Sequence, residues 1–400
     1  MWNLTKESKE KFRKANLLPI HESDEEWEIV LKEAEEEEED IIQRLKDDLN
    51  EVKDELIQIL PSKFIPYVEN GTLNQPTLPK SVREDYLNWM RESEKEFEQI
   101  LSAAYENTER ALSYLPKTVQ EVFSQSLHDS IIQKIERDGD NLHLYINTSG
   151  GFTSVDIIHF IFKGVTKEET DQPLEVGQWF IYDELMKTDD GFAFRVLFDC
   201  PETQWTIYMK DLDAELFYYP VPTKILKDNE QLEETSFDEF VNMLNQDQKY
   251  WFITPDVVLP VKFIHNGIEL ENATFQLDEN KLVITMHGNQ YTYDIKELHP
   301  ASFIYTDIYE DPYQDLDETL PFDEIEAAAL GNNVSLSIRA WNTMYQFPHE
   351  TKEVINRILL NTTFSEENEM ALSVYVNHFY KEGVLTKETI NKYRDFIDED

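Results

Sequence analysis

The stretch SLHDSIIQKIERDGDNLHLYIN, residues 126–147, decides how this chain is divided. Ahead of it, apolar residues recur every three or four positions, as on one face of a helix. Inside it they alternate every second position around an Asp-Gly turn, which is the signature of an antiparallel hairpin. The stretch also raises a chemical question, because it carries a His128–Asp129 pair just where the period changes.

Toward the N-terminus the pattern is helical. Ser23 and Glu26 form a capping box before Trp27, Leu31, Ala34, Ile41, Leu45, Leu49, Val52, Leu56 and Ile59, and Pro61 ends the run. A second capping box, Ser81 to Glu84, opens a helix that Pro116 closes. The two are expected to form a long antiparallel hairpin. Glu38 interrupts the first apolar seam, so it faces solvent or pairs with Arg91, Lys95 or Arg110 across the hairpin. Residues 22–55 hold 17 acids and 4 bases and read as a solvated face.

Toward the C-terminus, after a short helix at 118–127, the period stays near two. Asp190–Gly191 marks a second hairpin within 177–199, a strand follows at 203–219, and 154–165 is a strand or crossover. Residues 224–240 read as a linker entering a short helix. Strands resume from 257, and FQLDENKLVITM (275–286) shares the design of 133–146, which raises the idea of two similar units. Amphipathic helices are expected at 349–361, 365–383 and 386–397, with Gly383 as a C-cap and Thr386 as an N-cap.

The net charge is −45, with 36 Lys plus Arg against 81 Asp plus Glu. Phosphate backbones and anionic membranes are bound through Lys and Arg, so direct nucleic-acid binding and membrane binding are disfavoured. No apolar run reaches transmembrane length, and the N-terminus has no signal-peptide core. The single cysteine, Cys200, excludes a disulfide framework and reads as a buried structural thiol in a cytoplasmic protein.

Catalytic signatures are sparse. A His-Asp phosphohydrolase centre needs a further upstream histidine and a later aspartate on helices lining one pocket; the only upstream histidine is His21, and the pair leads into a strand. His128–Asp129 therefore reads as a hairpin edge, with Asp129 bonded to a nearby turn N–H. His143 and His159 lie in the first β region and His265, His287 and His299 in the second, none at helical metal-site spacing. The glycine pair in TSGGFTS (148–154) has no phosphate-loop context, and DGDN (138–141) lacks the ligands of a calcium loop. No cofactor and no metal is expected. Residues 297–338 contain ten acids and no Lys or Arg. There, Tyr305, Tyr309 and Tyr313 are candidate anchors of a partner surface, with Asp307, Glu310, Asp311, Asp315 and Asp317 supplying charge for a basic protein.

From the opening Trp2 through LLPIHESDEEW, SLHDSIIQKIER and GQWFIYDEL, most of the first 220 residues resemble an uncharacterised family of bacterial cytoplasmic proteins, a domain of unknown function. That resemblance implies no activity and transfers no site. The 126–147 stretch is also similar to the opening of small β-rich proteins of bacterial toxin-immunity neighbourhoods, where no catalysis is implied.

The sequence thus predicts an α+β protein: a helical hairpin (1–125), a first β-rich domain (126–222), a second α+β domain (223–348) and C-terminal helices (349–400). The expected function is non-enzymatic binding of a basic protein partner, of an immunity-like kind. The alternatives are a metal-dependent hydrolase using His128 and Asp129, and an acidic nucleic-acid mimic built on the helix around 33–40.

Overall fold

The structure is a computed structural model. It describes all residues except Met1, Pro19, Phe152, Asn266, Glu279, Glu297, Phe364, Glu366, Glu367 and 398–400. Phe152 of TSGGFTS, Asn266, Glu279 of the 275–286 stretch, and Glu366 and Glu367 of the expected 365–383 helix therefore lie outside the described residues.

The N-terminal helices are α1 (Lys6–Ala15), α2 (Asp24–Glu36), α3 (Ile41–Ile59), α4 (Ile65–Glu69), α5 (Lys80–Leu112) and α6 (Lys117–Phe123). A first sheet follows as β1 (Ile131–Asp138), β2 (Asn141–Asn147), β3 (Ile157–Thr170), β4 (Trp179–Thr188), β5 (Gly191–Asp199) and β6 (Thr203–Phe217). Next come α7 (Val221–Asp228), α8 (Phe237–Met243), β7 (Tyr250–Ile253), β8 (Val258–Ile264), β9 (Gly267–Leu270), β10 (Ala273–Asp278), β11 (Lys281–Met286), β12 (Asn289–Asp294) and β13 (Ile304–Thr306). The chain closes with α9 (Ile325–Ala329), α10 (Val334–Gln346), α11 (Lys352–Asn361), α12 (Glu369–Lys381) and α13 (Lys387–Lys392). The α+β class read from the sequence holds. By packing, the chain forms two compact units: Met1–Tyr219 with Phe237–Tyr309, and Pro220–Ser236 with Glu310–Asp400.

The first helical run is two helices rather than one. Glu38 takes a left-handed conformation (φ 57°) and the Glu39 N–H donates to Ala34 O at 2.8 Å, which turns the chain out of α2. Asp40 then caps α3 by accepting from the Gln43 N–H. Glu38 is thus an exposed turn residue and pairs with none of the expected bases; Arg91 bonds Glu22 instead, at 2.7 Å. The Ser23 cap forms as read, but Ser81 caps nothing, because α5 starts at Lys80 behind Pro79. Leu49 and Leu56 of α3 meet Tyr86 of α5 through Leu18, Phe64, Val68, Leu73 and Leu78, so the intervening Pro-rich segment is part of this core.

The 126–147 hairpin opens a closed antiparallel barrel with strand order β1-β2-β3-β6-β5-β4. Its inward positions are aromatic: Phe160, Phe162, Phe180, Phe194, Phe198 and Trp205 are all fully buried. A barrel of so few strands leaves room inside only for side chains. Each buried Phe contributes roughly 2–3 kcal/mol by burial. α6 stoppers one end, with Phe123 edge-on to Phe194 at 5.6 Å. Gly191 in the β4–β5 turn is obligatory, since a Cβ there (φ 147°) would sit 2.2 Å from Met209 O.

The closing seam between β1 and β4 is short. It has one ladder pair, Ile131↔Trp179, extended by Asp129 N to Phe180 O (2.9 Å), Phe180 N to Ser130 O (2.8 Å) and Ile132 N to Gln178 O (3.0 Å). Beyond the seam α5 covers the edge of β4, where Thr108 Oγ1 accepts the Leu185 N–H at 3.0 Å.

The remaining strands of this unit form a sheet β13-β7-β8-β9 and a separate sheet β10-β11-β12. Tyr218, just past β6, exchanges two backbone hydrogen bonds with Thr306 of β13. The likeness of 133–146 to 275–286 therefore stops at hairpin design: one hairpin is part of a closed barrel, the other of a three-stranded sheet. The second unit packs α9–α13 around Met344, Ile355, Ile358, Val376, Phe379 and Tyr393. Gly383 (φ 68°) and the Thr386 cap on Thr389 N take the roles read for them. α7, α9 and α10 go beyond the sequence reading, which gave 224–240 mainly as linker.

Candidate functional site

His128–Asp129 sits in the turn that feeds the barrel seam. Asp129 is left-handed (φ 65°), its N–H donates across the seam, and its carboxylate faces His128 Nδ1 at 3.0 Å. The carboxylate thus pairs with the imidazole rather than with a turn N–H, and it is the backbone that makes the pair structural. No group of three or more His, Cys, Asp or Glu residues among the described residues is arranged to hold a metal. Cys200 is exposed, not buried, because the β5–β6 turn holds it out with a positive φ.

The acid–tyrosine stretch divides. Tyr305 lies on β13 opposite Trp251, is 3% exposed, and its hydroxyl bonds that of Tyr219 at 3.2 Å. It is a core residue, and its phenol is pushed well above the ordinary value by burial and by Tyr219. As an exposed partner anchor it is therefore corrected: β13 is buried along its whole length, and Tyr305 packs with Tyr145, Ile157, Phe217 and Ile253. Asp307 and Tyr309 are exposed and stay with the barrel unit. Glu310, Asp311, Tyr313, Asp315 and Asp317 are exposed in the second unit. There the Tyr313 hydroxyl donates to Asp228, and Asn342 of α10 donates to Leu316 O at 3.2 Å.

On the outer face of the barrel, three strands place polar groups in one row. Tyr145 of β2 pairs with His159 of β3, which pairs with Glu215 of β6. Inward neighbours Leu144, Phe160 and Ala214 set this register by pointing the row outward. Tyr145 stacks on His159 with centroids 4.0 Å apart. His159 Nδ1 lies 2.9 Å from Glu215 Oε2, and His159 Nε2 lies 2.9 Å from Nδ1 of His143, the diagonal neighbour. A carboxylate can only accept, so His159 donates from Nδ1; its bare Nε2 then accepts from His143 Nδ1–H. Burial, with His159 beside it, lowers the pKa of His143; the His159 hydrogen bond holds the Glu215 carboxyl below its usual range.

Glu215 also lines a cleft of about 480 Å³ with Glu121, Asp307, Tyr218, Tyr309 and Trp251. Its walls carry three carboxylates and no Lys or Arg. Phe217 packs on Trp251 at 5.4 Å and Tyr218 on Tyr309 at 5.4 Å, so aromatic groups frame the acids. Such a lining suits a cation, which gains from carboxylates and ring faces together. Asp307 and Tyr309 of this lining are among the candidate residues named from the sequence. Glu121, Glu215 and Trp251 are not, because only the β3–β6 pairing and the Tyr218–Thr306 bridge bring them to one place.

A second polar row crosses β4, β5 and β6 as Glu184, Arg195 and Thr206. Here the N-terminal segment seals it. Glu184, 0% exposed, accepts from Leu4 N (2.9 Å), Asn3 N (3.0 Å), Asn3 Nδ2 (3.0 Å) and Asn107 Nδ2 (2.6 Å). Arg195 donates to Thr206 Oγ1 and Leu4 O and lies over the Trp2 ring.

Fold and site define a closed six-stranded barrel with an N-terminal helical cover and an outward acid–aromatic cleft. The chain belongs to the family described as "Protein of unknown function (DUF4085)", which matches residues 3–209, that is, the helical cover and nearly all of the barrel. No curated protein and no solved structure matches the chain. Among the described residues no helix is long and apolar enough to cross a membrane.

Proposed function

We propose that the protein is a non-enzymatic binding protein that captures a basic partner, and that a cationic side chain of that partner enters the acid–aromatic cleft. The observation that carries this reading is the cleft lining: Glu121, Glu215 and Asp307 framed by Tyr218, Tyr309 and Trp251, with no basic residue. The net charge of −45 supports it by steering basic proteins toward the surface. An immunity-like role, in which the captured partner is held inactive, is the form of binding suggested by the similarity of 126–147. We assign this role to the bacterial cytoplasm on the resemblance of the first 220 residues and the lone cysteine.

The test is fluorescence anisotropy with a labelled hexa-arginine peptide at low and moderate salt. Glu215→Gln with Asp307→Asn is expected to weaken binding by about tenfold, the size of one lost charge-assisted contact. Glu35→Gln with Glu36→Gln, equal in charge change but on α2, is expected to leave it within about twofold. Equal losses in the two variants would reduce the interaction to unspecific charge attraction and overturn the proposal.

A further inference from the structure

We infer that His143 and His159 form a two-imidazole relay that holds one proton against Glu215 and thereby sets, through pH, how strongly the cleft binds a cation. The inference rests on the binding reading above and adds its regulation.

The geometry is a continuous chain. Glu215 Oε2, His159 Nδ1, His159 Nε2 and His143 Nδ1 are linked by two contacts of 2.9 Å. One end, Glu215, is 60% exposed in its side chain and lines the cleft; the middle, His159, is 7% exposed and clamped under Tyr145. With both rings neutral, the hydrogen bonds fix both tautomers and leave His143 Nε2 as the basic nitrogen. A proton taken up there makes the pair cationic, and its charge is passed along the chain to the side of Glu215. Glu215 is then internally neutralised and a cation in the cleft loses one of its three counter-charges. By linkage, a cation in the cleft resists that proton to the same degree.

The surrounding charges do not replace this control. Burial and then His159 lower the pKa of His143, so its proton uptake lies on the acidic side of the ordinary histidine range; Glu136 and Asp138 of β1 and Glu215 offset this in part, and Asp213 of β6 acts on Glu215 through space. Lys134 is paired with Glu136 at 2.9 Å, and Lys163 of β3 with Asp213 at 3.0 Å. The phenols of Tyr145 and Tyr305, raised by burial, keep their protons throughout this range. Glu215 stays ionised because its carboxyl is held low by the His159 hydrogen bond. Within this hydrogen-bonded row, His143, whose Nε2 stays free of the two contacts, is the group left to take up a proton as the solution turns weakly acidic.

The test is calorimetric titration with Nα-acetyl-arginine amide at about pH 8 and about pH 5.5, with the citrulline analogue as a neutral control. Wild type is expected to bind the arginine amide on the order of tenfold more weakly at the lower pH, within the usual range of site-to-site coupling. In His143→Gln, and in His143→Gln with His159→Gln, the ratio is expected to fall toward one; a ratio unchanged in both overturns the inference. Ring-carbon NMR of the two histidines in full-length wild type and Glu215→Gln supplies a ligand-free arm. Loss of the Glu215 charge is expected to lower the midpoint of the pair's proton uptake. If wild type takes no arginine amide at either pH, the binding reading fails, and an unchanged midpoint in Glu215→Gln overturns the relay by itself.

Discussion

The barrel carries two polar rows on its outer surface, each laid across three neighbouring strands, and they have opposite fates. Glu184–Arg195–Thr206 is sealed: its carboxylate takes hydrogen bonds from two backbone and two side-chain N–H groups and sees no solvent. Tyr145–His159–Glu215 is sealed at its centre and open at one end, where Glu215 reaches the cleft. The same strand alternation builds both. What separates them is the covering layer: residues 2–4 and α5 lie on one row, and the other lacks such a cover over Glu215. A satisfied, buried carboxylate holds a chain segment in place, whereas Glu215, oriented by a buried imidazole, keeps its carboxylate open to the cleft.

The sharpest way to break this comparison is Glu184→Ala. It leaves buried donors without an acceptor and is expected to cost about 3–5 kcal/mol, read as a lower denaturation midpoint at constant slope. A loss below about 1 kcal/mol would mean that the N-terminal segment is not anchored there. Next, Tyr305→Ala is expected to cost about 3 kcal/mol by leaving a cavity, whereas Tyr309→Ala is expected to stay within about 1 kcal/mol while weakening cation binding. Equal stability costs would undo the division of the acid–tyrosine stretch into core and surface.

Asp183 sharpens the contrast from inside. It precedes Glu184 and pairs with the core residue Val196, on the barrel-facing side of β4; the side chain keeps partial solvent contact, but desolvation of its carboxyl pushes it up to about 7. A raised carboxyl favours the folded state fully below its unfolded value near 3.8, and that contribution is lost as pH rises through about 7. Asp183→Asn is thus expected to be nearly neutral near pH 3.5 and to stabilise the protein by roughly 2–3 kcal/mol at pH 8, less than the full ~4 kcal/mol of the shift because the side chain keeps some solvent contact. A pH-independent difference between the two proteins would contradict the burial of this group. The smallest effect belongs to Glu215→Gln, expected to change stability by less than about 1 kcal/mol because the carboxylate is mostly exposed. A cost as large as that of Glu184→Ala would make the two rows equivalent.

Much of this architecture was legible in the residues. The Asp-Gly turns at 138–139 and 190–191 and the alternating strands around them marked the barrel hairpins, and Gly383 and Thr386 marked helix ends. Closure was not legible, since the seam rests on a single ladder pair and a few backbone bonds that leave no side-chain pattern. α1 escaped because KESKEKFRKA has no apolar stripe; it docks through Phe12, stacked on Phe97 at 4.6 Å. The interruption at Glu38 was visible but reads equally as a gap in one helix or the end of two. His143 and His159 were seen as two histidines in one β region; their meeting depends on the β2–β3 register, which spacing alone does not give. Asp307 and Tyr309 were found by charge and aromatic pattern, while their partners in the cleft come from α6, β6 and β7.

The central claim is that the cleft beside Glu215 takes a cation. Two-dimensional NMR of the full chain titrated with Nα-acetyl-arginine amide tests it most directly. The account predicts saturable shifts at the Trp251 indole, Tyr309 and the His159 ring, absent with the citrulline analogue and absent in Glu215→Gln with Asp307→Asn. Shifts of equal size with citrulline, or shifts confined to other surfaces, would contradict it.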